Sequence, residues 1–205
     1  GSVNFKNGLT NVTTLSATNN SGAITTGTVE ATTGFVDKAI IAGANGASVF
    51  LGAGNDNIGF TATAGKSSTV KLGAGDDKLL LKAAGVVAGA TYVFGEAGND
   101  TIKIDNASGA LTTSDLIDGG EGTDTLVIDN NAANDMVLRG IEKLTLTKTA
   151  NVANVINSAD SAIAVTVEAG NAGTATAASI TGLTSGSTVT VNDSKDATGG
   201  VAALT

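Results

Sequence analysis

The sequence predicts an all-β chain, a right-handed parallel β-solenoid with acidic turns along one edge. Three observations predict it. Four Gly- and Asp-rich segments recur without gaps, with their Asp residues at 56, 77, 100 and 124, so the spacings are 21, 23 and 24. A repeat near 20 residues is too short for paired helices and suits one coil of a solenoid. Short aliphatic and β-branched runs flank every segment, as strands on a pleated surface require. Finally, the apolar residues are small: 41% of the chain is hydrophobic and only 3% aromatic, which suits thin stacked β layers.

The elements follow in chain order. Residues 3–48 alternate Val, Leu and Ile with Thr and Asn, as in Val12-Thr13-Thr14-Leu15, and form an N-terminal β segment, 1–48. Gly43 to Ser48 resembles a decayed copy of the repeat, although an ordinary turn explains it as well. The central coils occupy 49–146. Val49-Phe50-Leu51, Val70-Lys71-Leu72, Tyr92-Val93-Phe94 and Leu116-Ile117 precede the four turns. Ile58-Gly59-Phe60, Leu79-Leu80-Leu81, Ile102-Lys103-Ile104 and Leu126-Val127-Ile128 follow them. Each coil therefore reads as strand, tight turn, strand and looser return, the returns being 61–69, 82–91 and 105–115. Helical periodicity is weak, with Ser114–Leu116 and Asn151–Ser161 as the places for a short helical turn. Residues 137–205 repeat the β pattern in Leu144-Thr145-Leu146, Val165-Thr166-Val167 and Val189-Thr190-Val191, and 147–205 form a C-terminal β segment. They continue the solenoid or form a small β-domain. Gly1-Ser2 reads as a cloning remnant.

Composition excludes several chemistries. The chain has no His, Cys, Pro or Trp, so it has no thiol nucleophile, no Ser-His-Asp triad and no soft metal site. Its net charge of −8 makes it a poor partner for nucleic acid, whose phosphates need Lys and Arg. No apolar run approaches the roughly 20 residues of a membrane helix, so no membrane insertion is expected.

The charge is concentrated at the repeats. Residues 51–135 hold 12 acidic and 5 basic side chains, a net of −7. In a parallel solenoid equivalent residues lie about 4.8 Å apart, so Asp56, Asp77, Asp100 and Asp124 would form a carboxylate file. Each neighbouring pair then repels by roughly 1 kcal/mol in water and roughly 3–4 at a surface-like dielectric. A divalent cation between coils reverses the sign. The available donors are carboxylates and backbone carbonyls, hard oxygens that favour calcium over zinc or copper. Gly52, Gly54, Gly73, Gly75, Gly95, Gly98, Gly120 and Gly122 would line the turns, because glycine tolerates the positive φ that aims carbonyls at an ion. A lone Gly-Asp turn is common; four copies in register, each followed by its aliphatic residue, favour a shared role. Asn55, Asp76 and Asn99 either cap the turns or join the ion. Glu96 and Glu121 within the turns, and Asp105, Asp118, Asp129 and Asp135 beyond them, read as solvated charge.

The pattern G-G-x-G-x-D-x-aliphatic, complete in Gly119-Gly120-Glu121-Gly122-Thr123-Asp124-Thr125-Leu126, resembles the nonapeptide repeats of RTX proteins secreted by bacteria. The other copies depart from it: Leu51 and Leu72 replace the first Gly, and Glu96-Ala97 the second Gly and spacer. Motifs on one edge alone, together with Arg139-Gly140-Ile141-Glu142-Lys143-Leu144-Thr145-Leu146, are similar to RTX-type surface-layer proteins and large adhesins. The resemblance implies several calcium ions held by the four Asp residues and their glycines. It also implies secretion to the bacterial cell surface and folding triggered by calcium. Three functions compete. The first is a structural module that self-associates into a lattice or fibre; the second is an adhesin or biofilm-matrix module with a cell-surface glycan as partner. The third, a secreted hydrolase using an acid pair such as Asp115 and Asp118, lacks anything to position a substrate, so no enzyme is expected.

Overall fold

The computed structural model describes residues 1–83, 89–105, 111–129, 134–147, 153–168 and 179–192. In chain order the strands are β1 (Val3–Phe5), β2 (Leu9–Val12), β3 (Thr14–Ser16), β4 (Ile24–Thr26), β5 (Ile40–Ala42), β6 (Ser48–Phe50), β7 (Asn57–Ala62), β8 (Ser68–Ala74), β9 (Lys78–Ala83) and β10 (Thr91–Ala97). They continue as β11 (Thr101–Ile104), β12 (Leu116–Glu121), β13 (Thr125–Ile128), β14 (Asn134–Arg139), β15 (Lys143–Leu146), β16 (Ala153–Ala159), β17 (Ala164–Glu168), β18 (Ser179–Thr181) and β19 (Thr188–Asn192). Among the described residues there is no helix.

The strands form a parallel β-solenoid. One sheet runs β1-β4-β7-β9-β11-β13-β15-β17-β19, with β2 and β5 beside it; the other runs β18-β16-β14-β12-β10-β8-β6-β3. From β6 onward each coil gives one strand to each sheet. The Gly-Asp turns make the crossing from the second sheet to the first, and the looser returns lead back. Strands β16 to β19 extend the same two sheets. Residues 153–159 pair in parallel with β14, so strand replaces the helical turn expected there; inter-coil pairing satisfies backbone groups that a short isolated helix would leave open. Asn151 and Val152, at the start of that expected turn, lie outside the described residues. Thr113 and Ser114 do form a turn, without a helix.

The core explains the choice of residues. Ile58, Leu79, Ile102, Leu126, Leu144 and Val165 are partners in register along one sheet, and all are buried. Facing them, Val49, Val70, Val93, Ile117 and Leu138 form a column on the other sheet. Each such side chain contributes about 1.5–3 kcal/mol on burial. Aliphatic residues of similar size stack on their own kind one coil apart, so a period near 20 repeats a shape as well as a polarity. Outward positions on the first sheet are mainly polar, with Ile41, Leu80 and Val127 as apolar exceptions. Leu80 faces outward between Gly59 and Lys103, yet it is buried. The segment from Thr28 to Asp37 folds over this face. Its Gly34 carbonyl accepts from Asn57 Nδ2 at 2.9 Å, Phe35 and Val36 are buried, and the Lys103 ammonium lies 5.9 Å from the Phe35 ring centre.

Candidate metal centre

Each Gly-Asp turn is held by two ladders running in opposite directions. The inner ladder uses the motif Asp. Asp56 Oδ1 accepts the Ile24 N–H at 2.5 Å, Asp77 Oδ1 that of Asp56 at 2.7 Å, Asp100 Oδ1 that of Asp77 at 2.8 Å, and Asp124 Oδ1 that of Asp100 at 2.7 Å. Every carboxylate thus reaches back to the preceding coil. The outer ladder reaches forward. Asn55 Oδ1 accepts from the Asp76 N–H, Asp76 Oδ1 from that of Asn99, and Asn99 Oδ1 from that of Thr123. Asn55, Asp76 and Asn99 therefore cap the next turn, which settles one of the two roles left open for them.

The four motif carboxylates are 0 to 2% exposed. Their Oδ1 atoms are used; their Oδ2 atoms are buried and accept no hydrogen bond. A buried anion with an oxygen unpaired is costly, so burial favours the protonated form of all four groups. Burial pushes Asp77 up to about 8, with the charges of Asp100, Asp56 and Asp76 adding to it. Burial likewise pushes Asp56 and Asp100 up to about 6, against the pull of their backbone N–H bonds. Asp124 is raised for the same reason, with Glu142 and Asp118 adding to it.

The surroundings of Oδ2 differ between coils. The first turn position carries Leu51, Leu72, Gly95 and Gly119 in register. Leu51 and Leu72 are buried and fill that corner. At Gly95 the place of a Cβ lies within 3 Å of both Asp100 Oδ2 and the Gly119 carbonyl oxygen. At Gly119 it lies within 3 Å of Asp124 Oδ2 and the Gly140 carbonyl oxygen. In these two coils glycine lets a carboxylate oxygen and a carbonyl oxygen, both hard donors, approach the backbone where a larger side chain would clash. Among the described residues no three acidic side chains gather in one place. The carboxylates stand in single file, and an ion here would take its remaining oxygens from the backbone.

The other glycines have a role that needs no ion. Gly73, Gly75, Gly98, Gly120 and Gly122 have φ between 101° and 137°. Beside Gly98 and Gly122 the carbonyl oxygen of the preceding coil's glycine stands where a Cβ would be, so close stacking alone requires glycine in that column. Gly52 and Gly54 lie outside the positive-φ set; the Gly52 carbonyl accepts from the Ala74 N–H and the Gly54 N–H donates to the Ala74 carbonyl, both at 2.8 Å. Glu96 occupies the same column as Gly73 and Gly120 with φ 77°.

Four sequence readings change. The inner ladder does not stop at Asp124, whose N–H donates to Glu142 Oε2 at 2.7 Å; Glu142 stands in a coil without the glycine motif, and only its position after Gly140-Ile141 signals it. Gly43 to Ser48 lies on the return side, between β5 and β6, so it is no copy of the Asp turn. Asp115 is not half of an acid pair. Its Oδ1 accepts the Thr91 N–H at 2.7 Å and its Oδ2 the Thr112 N–H and hydroxyl, at the corner where Asn134 accepts the Leu111 N–H. Asp118 faces outward opposite Arg139. Asp129, read as solvated, forms an ion pair with Lys103 at 2.8 Å. The chain matches no family model, no curated protein and no solved structure.

Proposed function

We propose that this chain is a calcium-stabilised structural module of a secreted bacterial surface protein, self-assembling like the RTX-type surface layers it resembles. The observation that carries the reading is the file of four buried carboxylates whose Oδ2 atoms have no partner. An ion supplies the missing positive charge and turns a column of mutual repulsion into cross-links between coils. The best-suited holders are Asp100 with the Gly119 carbonyl and Asp124 with the Gly140 carbonyl, because in these two coils the free Oδ2 and a carbonyl oxygen stand together beside a glycine instead of a leucine. Asp56 and Asp77 offer carboxylates beside Leu51 and Leu72, which supports weaker binding there. A site of carboxylates and carbonyls on an extracellular module fits affinities on the order of 10⁻⁴–10⁻³ M.

The test is a calcium titration of metal-stripped protein, followed together by far-UV circular dichroism and light scattering. A gain of β signal with growing particle size is expected. A gain of β signal in a persisting monomer would move the reading to a calcium-stabilised adhesin or matrix module that binds a cell-surface glycan. A protein fully folded in chelator and indifferent to calcium would reduce the ladder to turn capping and end the calcium reading.

A further inference from the structure

We infer that the outer face of the second sheet is a docking surface for a second copy of this chain. The proposal deepens the assembly reading by naming the surface and its symmetry. Two outward rows cross this face in register. One is Ser48, Thr69, Tyr92, Leu116 and Val137; the other is Phe50, Lys71, Phe94, Asp118 and Arg139. The chain has five Phe and one Tyr, and three of those six rings point outward here. Tyr92 is 38% exposed, and Phe50, Phe94, Leu116 and Val137 are part-exposed. On the opposite sheet the outward Leu80 is covered by the Thr28 to Asp37 segment. No described residue covers Tyr92 in the same way.

Charge selects the occupant. The protein carries −8, so two copies repel over most of their surface. On these rows and Glu96 beside them the charges cancel: Lys71 and Arg139 against Glu96 and Asp118. They are also ordered. A two-fold axis lying in the contact plane along β10 reverses the coil order and keeps each row opposite itself. It sets Lys71 against the second copy's Asp118, Phe50 against its Arg139, and Tyr92, Phe94 and Glu96 against themselves. Opposite charges, a cation–π contact and aromatic pairs are favourable; the one like-charge contact, Glu96 against Glu96, is moderated by the Lys71 that each carboxylate holds at 3.1 Å in its own chain. Lys71 already makes such a contact within the chain, 5.3 Å from the Phe94 ring centre. The face spans about 24 Å across five strands and buries on the order of 1,000 Å² in a dimer, the lower end for a specific interface. A micromolar dimer that a lattice reinforces is the expected strength.

The test is sedimentation equilibrium of the whole chain, in calcium and in chelator, with Lys71→Glu, Asp118→Lys and the double exchange. Circular dichroism checks that each variant is folded. Tyr92 is the sole tyrosine and there is no Trp, so intrinsic emission reports on this face alone. Dimerisation with a concentration-dependent change in Tyr92 emission is expected. Each single reversal weakens the dimer about tenfold or more, and the double exchange restores it. A monomer at every concentration, or association indifferent to all three variants as end-to-end stacking would be, overturns the proposal. So does a monomer whose Tyr92 emission responds to a polysaccharide. If calcium leaves the fold unchanged while the dimer still follows the charge exchange, the calcium reading fails and this one stands.

Discussion

Without a divalent cation the protein should lose stability as pH rises from about 4 to 8. The cause lies in Asp56, Asp77 and Asp100, pushed up to about 6, 8 and 6 from 3.8 by burial. Below pH 4 both folded and unfolded chains hold these protons, and the groups are neutral to stability. Between pH 4 and 8 the unfolded chain releases them while the folded chain keeps them, so the unfolded state gains steadily as pH rises. Every tenfold change in a carboxyl group's proton affinity on folding corresponds to about 1.4 kcal/mol, and the three groups together withhold on the order of 10 kcal/mol by pH 8. That is comparable to the whole stability of a domain. Thermal unfolding in chelator, followed by circular dichroism from pH 3.5 to 8.5, should show Tm falling across this window, and calcium should restore it at pH 7.5. The variant Asp77→Asn keeps the Oδ1 acceptor and removes the ionisation. In chelator at pH 8 it gains on the order of 5 kcal/mol from the lost penalty, offset by about 1–3 for an unpaired buried amide. A Tm that is flat or rises with pH in chelator would refute the reasoning, because the Oδ2 atoms would then be satisfied as anions without any ion.

Three further outcomes are expected. Glu96→Gly relieves a positive φ at a position where the neighbouring coils already use glycine; it should stabilise the protein by about 1 kcal/mol in urea unfolding, since the exposed Lys71–Glu96 pair it removes contributes little. Gly95→Ala drives a methyl group against Asp100 Oδ2 and the Gly119 carbonyl; a loss of about 1–3 kcal/mol and a weakened calcium response should appear in calcium titrations monitored by circular dichroism. Glu142→Ala strips the acceptor from the Asp124 N–H and should cost about 1–3 kcal/mol, whereas Glu142→Gln, which keeps an acceptor, should recover most of it in the same assay.

The solenoid was legible because its core is periodic in both polarity and size. Ile58, Leu79, Ile102 and Leu126 sit at one position of every repeat, and stacking turns that regularity directly into strands. The four Asp residues were legible as a file for the same reason. What they do inside the turn was not. No spacing distinguishes an Asp that offers both oxygens to an ion from one that commits Oδ1 to the N–H of the preceding coil, because that bond crosses between repeats. Glu142 escaped notice because its longer side chain fills an Asp position from a coil lacking Gly-x-Gly. Asp115 was misleading because two nearby acids look like a pair until alternation along a strand sends one to a corner and the other outward.

The direction of the inner ladder has a consequence for the order in which the coils become complete. Within the inner ladder each carboxylate serves the coil before it: Asp77 closes the turn of Asp56, and Glu142 closes that of Asp124. A chain shortened from its C-terminal side therefore ends on a buried N–H that nothing accepts, while one shortened from its N-terminal side ends on a carboxylate oxygen that water can serve. In the inner ladder each coil is thus closed by the next to arrive, while the exposed outer ladder of Asn55, Asp76 and Asn99 runs the other way. Growth from the C-terminal side would find the inner acceptor already in place, and growth from the N-terminal side the outer one.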